Sequence, residues 1–453
     1  MKKRLFDILA IVIFITLLFF PFIRVADGFP GFEIIDILLP VLLLLFIKNY
    51  SKIQHKKIYL FLAGFSGYVL LTIAINGRLG QLRDYFEIIK ILKFGMVIFL
   101  FSFVSTKEFS EKWIRPVFIA LVVLNFVHYF ELFRLNYLLE HYYQAGERLA
   151  RFGKNSLGQP TTKRMLGFAC NPNYNSIIFL FFVVYFIPKL KEKVKKVDLI
   201  YFGVAMTMVF LCQSRTALLA TTCVLLVYGI LTVRSEFKKL VLVTLIILST
   251  FGLSTIIAKV SINTGGSGHY ISDVNGGDST LVDNLDSTNV YKYEINDDTY
   301  TESLIDGSAF ESNSLQQRLA IWKHLWGMIM NKPLFGHGPY KEYFYDNKLY
   351  SESEYFMIAW RYGFIGLIVF LIFFIFPVKI ASARLNSKFG LTLLLFAVVL
   401  AVSCSTNNAF SHKTIIVLYG MCIGLFIGST KTEKESSESE ENKVADTHLD
   451  KDS

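Results

Sequence analysis

The chain has 453 residues, of which 53% are hydrophobic and only 18% charged, with 43 phenylalanines. A water-soluble protein of this size carries more charge, so the composition is that of a membrane protein. The net charge of +10 comes without a basic soluble surface, which excludes a nucleic-acid partner.

In chain order, apolar runs long enough to cross a hydrocarbon core of about 30 Å predict twelve spans. Their cores are 6–23, 32–47, 58–75, 88–104, 117–130, 173–188, 197–212, 216–233, 240–258, 355–377, 389–403 and 413–429. The first is too long, and too closely followed by the next, to be a cleaved signal peptide. With the amino terminus inside, the segments "MKKR", "KNYSKIQHKK", "STKEFSEKWIR", "KLKEKVKKVD", "RSEFKK" and "KIASARLNSK" are cytoplasmic, and all are rich in lysine or arginine. The loop from Ser261 to Gln317 then faces outward and holds ten acidic residues against a single basic one, Lys292. The expected architecture is an all-α polytopic membrane protein with both termini cytoplasmic. It divides into helices 1–5 (1–130), an outward loop (131–170), helices 6–9 (171–258), a large outward loop with interface helices (259–354), helices 10–12 (355–429) and a disordered cytoplasmic tail (430–453). The cysteines Cys170, Cys212, Cys223, Cys404 and Cys422 form no CxxC pair and read as small buried hydrophobes.

Three outward segments are candidates for a site. The first, "NGRLGQLRDYFE", places Arg78 and Arg83 near the membrane surface. The second, from Glu131 to Cys170, is basic where topology predicts few positive charges. The third begins Gly/Asp/Ser-rich, with a short hairpin expected near "GHYISDVNGGDSTLV". It then becomes an amphipathic interface helix with Arg318 at its start and Leu319, Trp322, Trp326 and Ile329 on one face. Pro333, Gly336 and Gly338 stop this helix. The two tryptophans also fit a plain role as interface anchors.

Outward basic residues run against the orientation rule and need another reason. Arg148, Arg151, Lys154, Lys163, Arg164, Arg215 and Arg318 all fall near outer span ends. A guanidinium fork suits phosphate oxygens; pairing with loop acids or snorkelling to headgroups is the competing account. In "CQSRTALLA", Arg215 separates two short apolar cores and is expected to face a protein cavity, because lipid there would be costly. In "RMLGFACNPNYNS", Asn171, Pro172 and Asn173 open the next span, with a helix cap as the simpler role of the asparagines.

"QSRTALLA", "RMLGFACNPNYN", "RLAIWKHLWGMIMNKPLFGHGP" and "EYFMIAWRYGFIG", taken in order, resemble the bacterial O-antigen polymerase and O-antigen ligase superfamily, most strongly from Arg148 to Gly366. The resemblance implies glycan transfer at the periplasmic side of the inner membrane. A glycan on undecaprenyl pyrophosphate moves onto an acceptor hydroxyl, without a metal or other cofactor. The partners are the lipid-linked donor and acceptor, with a flippase and a chain-length regulator as further candidates. By the same resemblance Arg318 is a functional residue, and Arg164, Arg215 and Arg318 form the pyrophosphate-binding set.

Ligases carry a histidine eleven residues before the glycine that here is Gly363. That position is Glu352, and the departure favours a polymerase, which joins repeat units, over a ligase, which transfers to lipid A core. His337 belongs to the Pro-x-x-Gly-x-Gly turn and cannot be that histidine. Glu352 is the expected proton acceptor or aligner of the attacking hydroxyl, with Glu354 as its rival and helix capping as the plain role of both. Arg151, Asn173, His337, Tyr340, Glu354 and Tyr355 are the expected substrate contacts; tyrosine rings stack on sugars but are also common at membrane interfaces. A secondary transporter is the alternative of another class, although no mid-membrane ionisable residues and no inverted repeat are visible.

Overall fold

The computed structural model describes residues 2–20, 33–130, 132, 164–169, 171–192, 195–264, 314–340 and 351–430. The expected hairpin, Arg148, Arg151, Lys154, Lys163 and residues 431–453 lie outside them. Within the described residues the fold is all-α. The helices are α1 (Lys2–Phe19), α2 (Ile34–Asn49), α3 (Lys56–Ile75), α4 (Phe86–Ser102), α5 (Arg115–Tyr129), α6 (Pro172–Glu192) and α7 (Lys196–Leu211). There follow α8 (Arg215–Thr264), α9 (Ser314–Asn331), α10 (Glu354–Ser382), α11 (Lys388–Thr406) and α12 (Lys413–Thr430).

Every predicted apolar core overlaps a helix of the described residues. Among the described residues, eight helical segments are long and apolar enough to cross a membrane, namely α2, α3, α6, two parts of α8, α10, α11 and α12. This is a multi-pass membrane protein. The remaining predicted spans, α1, α4, α5 and α7, are helices of 18, 17, 15 and 16 residues. The two parts of α8 fold back on one another: a Cβ at Gly229 would lie 3.7 Å from the Leu240 side chain, whereas eleven residues of straight helix span about 16 Å.

Helices α6 and α12 are apolar around their whole circumference and buried along most of their length, as a helix at the centre of a bundle must be. α6 packs among α7, α8 and α11. α12 lies against α4 through Gly420, Gly424 and Gly428; a Cβ at Gly424 would come within 2.6 Å of Phe101 Cβ and 2.7 Å of the Ile98 carbonyl. Small residues four apart let two helix backbones approach where lipid supplies no hydrophobic drive.

α10 is broken at Gly363 (φ 65°, ψ −171°), a conformation that essentially only glycine adopts. The Pro333–Gly338 turn fills the break. His337 N–H donates to the Trp360 carbonyl (3.0 Å), Gly338 N–H to Arg361 (2.8 Å), and Phe364 N–H to Pro333 (2.7 Å). The Tyr68 hydroxyl of α3 donates to the Tyr362 carbonyl at 2.6 Å. Backbone groups freed by the break thus find partners, as they must within a membrane. The turn docks at van der Waals contact, since a Cβ at Gly363 would lie 2.2 Å from the Leu334 oxygen.

α9 packs on α10 with Leu325 and Ile329 buried against Met357, Ala359 and Trp360, and Trp322 stacks on Phe356 at 5.3 Å. This corrects the expected face. Leu319 and Trp326 are exposed, so the packed stripe is Trp322, Leu325 and Ile329, with the Trp326 ring at its edge, 6.1 Å from Phe364.

Candidate functional site

The ends of α7 and α11 and the starts of α6, α8 and α10 meet at one end of the bundle, and the loops between them carry the polar side chains. Met165 N–H donates to the Leu211 carbonyl (2.9 Å), which ties the Arg164 segment to the end of α7. Gly167 has φ 59°, and a Cβ there would lie 2.2 Å from Asn125 Oδ1 and 2.4 Å from Asn175 Oδ1. The chain turns there because glycine alone fits. Asn171 caps α6, its Oδ1 accepting from Asn173 N–H at 2.9 Å, and Pro172 takes the first helical position. The side chain of Asn173 does not serve the cap. It accepts from Arg164 Nη2 (3.3 Å) and donates to Asn407 Oδ1 (3.1 Å).

Arg164 also donates through Nε to the Cys212 carbonyl at 3.2 Å. Burial pushes its guanidinium pKa down, and the like charge of Arg215 acts in the same direction. Arg215 opens α8 after a tight turn in which Gln213 has φ 48° and Ser214 Oγ accepts from Ala217 N–H. Its side chain is exposed. Among the described residues neither Arg164 nor Arg215 pairs with a carboxylate. Arg78 does so with Asp84 (2.7 Å) and Arg115 with Asp198 (2.6 Å).

The carboxylate side lies next door. Asn407 Nδ2 donates to Thr216 Oγ1 (3.1 Å), whose hydroxyl also meets Thr406. Its neighbour Asn408 accepts from Ser351 Oγ at 2.9 Å. The Ser351 carbonyl accepts from Trp322 Nε1 of α9 (2.6 Å), and Ser353 Oγ donates to the Cys404 carbonyl (3.3 Å). Glu352 sits between these anchors, half-buried, with φ 46°. Such a backbone is uncommon away from glycine and persists where the surroundings over-determine it. Glu354, the first residue of α10, is 2% exposed. It accepts from Ser411 N–H (2.9 Å) and Ser411 Oγ (3.0 Å), which fastens α10 to the turn before α12. Ser353 is the N-cap residue of α10 but makes no side-chain capping bond.

The fold therefore brings Arg164, Asn173, Arg215 and Glu352 to one cluster of loops. Arg318 lies on α9 four residues before Trp322, and its side chain, like Arg151, is outside the described residues. Three expected contacts are engaged within the fold. His337 Nε2 meets the Met328 carbonyl (2.9 Å) and its ring stacks on Trp360. Burial pushes its pKa down, the Met328 bond opposes this, and Lys332 adds to it. The Tyr340 ring lies 4.0 Å from the Arg78 guanidinium carbon, and the Tyr355 hydroxyl donates to the Ala401 carbonyl at 2.8 Å. Sequence reasoning missed Asn407 and Asn408, which join the arginine side to the carboxylate side. The signal was present as adjacent asparagines, "STNNAFSH", closing an apolar span.

Fold and cluster together define a multi-pass helical membrane protein with two arginines that meet no carboxylate among the described residues and a constrained carboxylate at one end of its bundle. Residues 200–371 match the family model described as O-antigen ligase (Wzy_C), so the chain carries a domain of that family. The matched stretch includes Arg215, Arg318, Glu352 and Gly363, and Arg164 lies upstream of it. A comparison with curated proteins gave no match.

Proposed function

We propose that this protein is an O-antigen ligase-type glycosyltransferase of the inner membrane, with twelve spans, both termini cytoplasmic and the loop cluster facing the periplasm. It moves a glycan from undecaprenyl pyrophosphate to an acceptor hydroxyl. The observation that carries the reading is the meeting of Arg164 and Arg215, which pair with no carboxylate among the described residues, with the segment that holds Glu352, to which Asn173, Asn407 and Asn408 link them. In the transfer, the acceptor oxygen attacks the anomeric carbon and the bond from that carbon to the pyrophosphate oxygen breaks. The acceptor proton passes to the Glu352 carboxylate, and the pyrophosphate leaves with the bonding electron pair. Charge grows on the leaving oxygen, where fixed guanidinium groups lower the barrier most. Attack and departure on opposite faces invert the anomeric centre, which fits a base and a cationic cluster on different elements.

The matched family description supports a ligase, for which the resemblance implies lipid A core as the acceptor. Glu352, standing at the ligase histidine's spacing from Gly363, is the specific observation for the second reading, a polymerase whose acceptor is another lipid-linked repeat unit. Surface and lipid-linked glycans of cells lacking the protein decide between them. Full-length polymer stranded on the carrier lipid supports the ligase, and collapse to a single repeat unit supports the polymerase. Unchanged glycans refute both.

A further inference from the structure

A group of cations gathers at the other end of the bundle. α6 runs from Asn173 at the loop cluster to Lys189, sixteen residues and about 24 Å away at 1.5 Å per residue, and α11 begins at that far end with Lys388. α5 begins there too. It is preceded by one turn of α-helix (Thr106–Phe109) and a single π-helical turn (Ser110–Ile114), an irregularity frequent at functional sites. In the proposed orientation this end faces the cytoplasm.

The two lysines meet on one ring. The Lys189 ammonium lies 5.0 Å and the Lys388 ammonium 4.4 Å from the centroid of Tyr185. Lys388 also donates to the Tyr185 hydroxyl at 3.0 Å and to Ser110 Oγ, while the Tyr185 hydroxyl donates to the Ser110 carbonyl at 3.1 Å. Arg115 joins them through two more rings. Its guanidinium carbon is 5.7 Å from Tyr201, which stacks on Phe186 at 5.4 Å, and the Lys189 ammonium is 5.7 Å from Phe186. Phe118 of α5 fixes this arrangement by ring contacts to Phe182 and Phe186 of α6 and Tyr201 of α7.

The charges here do not balance. Arg115, Lys195, Asp198 and Glu111 act electrostatically on Lys189. Arg115, Lys189, Lys195 and Lys388 thus stand against two carboxylates, of which Asp198 is held by Arg115 at 2.6 Å and Glu111 is exposed. Lys189 is only 7% exposed, yet among the described residues its ammonium makes no hydrogen bond, and neither does the buried Arg115 Nε. A lysine that snorkels ends with its head in water. A buried ammonium instead needs an anion or acceptor oxygens, and the ring faces around Lys189 attract a cation without supplying either. Beside the cations the surface is apolar: Ile119, one helical turn from Arg115, and Val197 and Ile200, which flank Asp198, are exposed.

We propose that Lys189, Arg115 and Lys388 form a binding site for a phosphate group, with the headgroup of an anionic phospholipid as the ligand that the apolar surroundings fit. The phosphate oxygens supply the acceptors that Lys189 and Arg115 Nε lack, and the acyl chains run along Ile119, Val197 and Ile200. No residue of the arginine cluster takes part, so the site stands or falls independently of the transfer reading.

The test uses the full-length protein in phosphatidylcholine nanodiscs that carry a trace of a photoreactive lipid, either phosphatidylglycerol or phosphatidylcholine with the same diazirine-bearing acyl chain. The phosphatidylglycerol probe is expected to label peptides of α5 and α7 at least tenfold more than the phosphatidylcholine probe. Lys189→Met, which keeps the length of the side chain and removes its charge, should lower that labelling at least tenfold, and Lys189→Arg should retain it. Both variants are compared with wild type at equal recovery of monodisperse protein. Inorganic phosphate in the buffer distinguishes the two sources of the ligand. Labelling that it leaves unchanged assigns the site to the lipid headgroup, and displacement of the probe in wild type assigns it to the soluble anion. Equal labelling by the two probes in wild type overturns the site whether or not the variants fold. Phosphatidylglycerol labelling of Lys189→Met within threefold of wild type overturns it as well.

Discussion

Arg164→Ala separates a chemical role from a structural one. Arg164 holds its place with two hydrogen bonds to neutral acceptors, at 3.2 Å to Cys212 and 3.3 Å to Asn173. Both are long, which puts each at or below about 1.5 kcal/mol, the low end for a bond with one charged partner. Against this stands the cost of keeping a partly buried cation without a carboxylate, which is visible in its lowered pKa. Stability should therefore change by about 1 kcal/mol or less. A guanidinium that meets the leaving pyrophosphate contributes more, about 2.7 kcal/mol for a hundredfold effect on rate. Transfer of glycan by purified protein should fall at least 10²-fold, while thermal unfolding in detergent stays within a few degrees of wild type. Arg164→Lys should recover only part of the rate, since lysine supplies charge without the fork. A turnover within threefold of wild type for Arg164→Ala, or a rate loss matched by loss of folded protein, would refute the assignment.

The two glutamates should part company. Glu352→Gln is expected to abolish transfer at normal abundance. Glu354→Ala is expected to cost about 3 kcal/mol, since it removes two hydrogen bonds to a charged acceptor at about 1.5 each. A fully active Glu352→Gln enzyme removes base catalysis from that residue. Gly363→Ala should prevent accumulation of folded protein, because the backbone there excludes a side chain and the added Cβ meets the Leu334 oxygen at 2.2 Å. Gly67→Ala, with nothing within 4 Å, is the control and should express normally. For orientation, a membrane-impermeant maleimide applied to spheroplasts should label Ser279→Cys and spare Ser437→Cys; the reverse pattern inverts the topology.

The helices were legible because an apolar run of spanning length has few other solutions in a membrane, and every predicted core overlaps a helix of the described residues. The packed face of α9 was not. Leu319, Ile321, Trp322, Leu325, Trp326, Met328, Ile329 and Met330 span about half the circumference opposite Lys323 and His324, so only docking onto α10 selects Leu325 over Trp326. Arg164 and Arg215 stood out as charges at outer span ends, but their surroundings did not. Whether a polar residue such as Asn173 caps its own helix or reaches another is decided by tertiary placement, since short amides can do either. The same ambiguity hid Asn407 and Asn408 at the end of α11.

The absence of a carboxylate beside Arg164 and Arg215, among the described residues, has a physical reason if an anion is the ligand. At 4 Å and an effective dielectric of 20, an ion pair gains about 4 kcal/mol, so a carboxylate partner would hold either arginine more firmly. It would also cancel the field that a pyrophosphate meets. Neutral acceptors such as the Cys212 carbonyl and Asn173 Oδ1 orient the fork of Arg164 without neutralising it. The glutamates show the complementary arrangement. Glu354 is spent on fastening α10 to Ser411, which fixes the helix start one residue beyond Ser353. Two residues before Glu354, Glu352 stands in a left-handed backbone held on both sides by Ser351 and Ser353. Position comes from Ser351, Ser353 and Glu354, whose side chains are engaged within the fold, and the proposed chemistry falls to Arg164, Arg215 and Glu352.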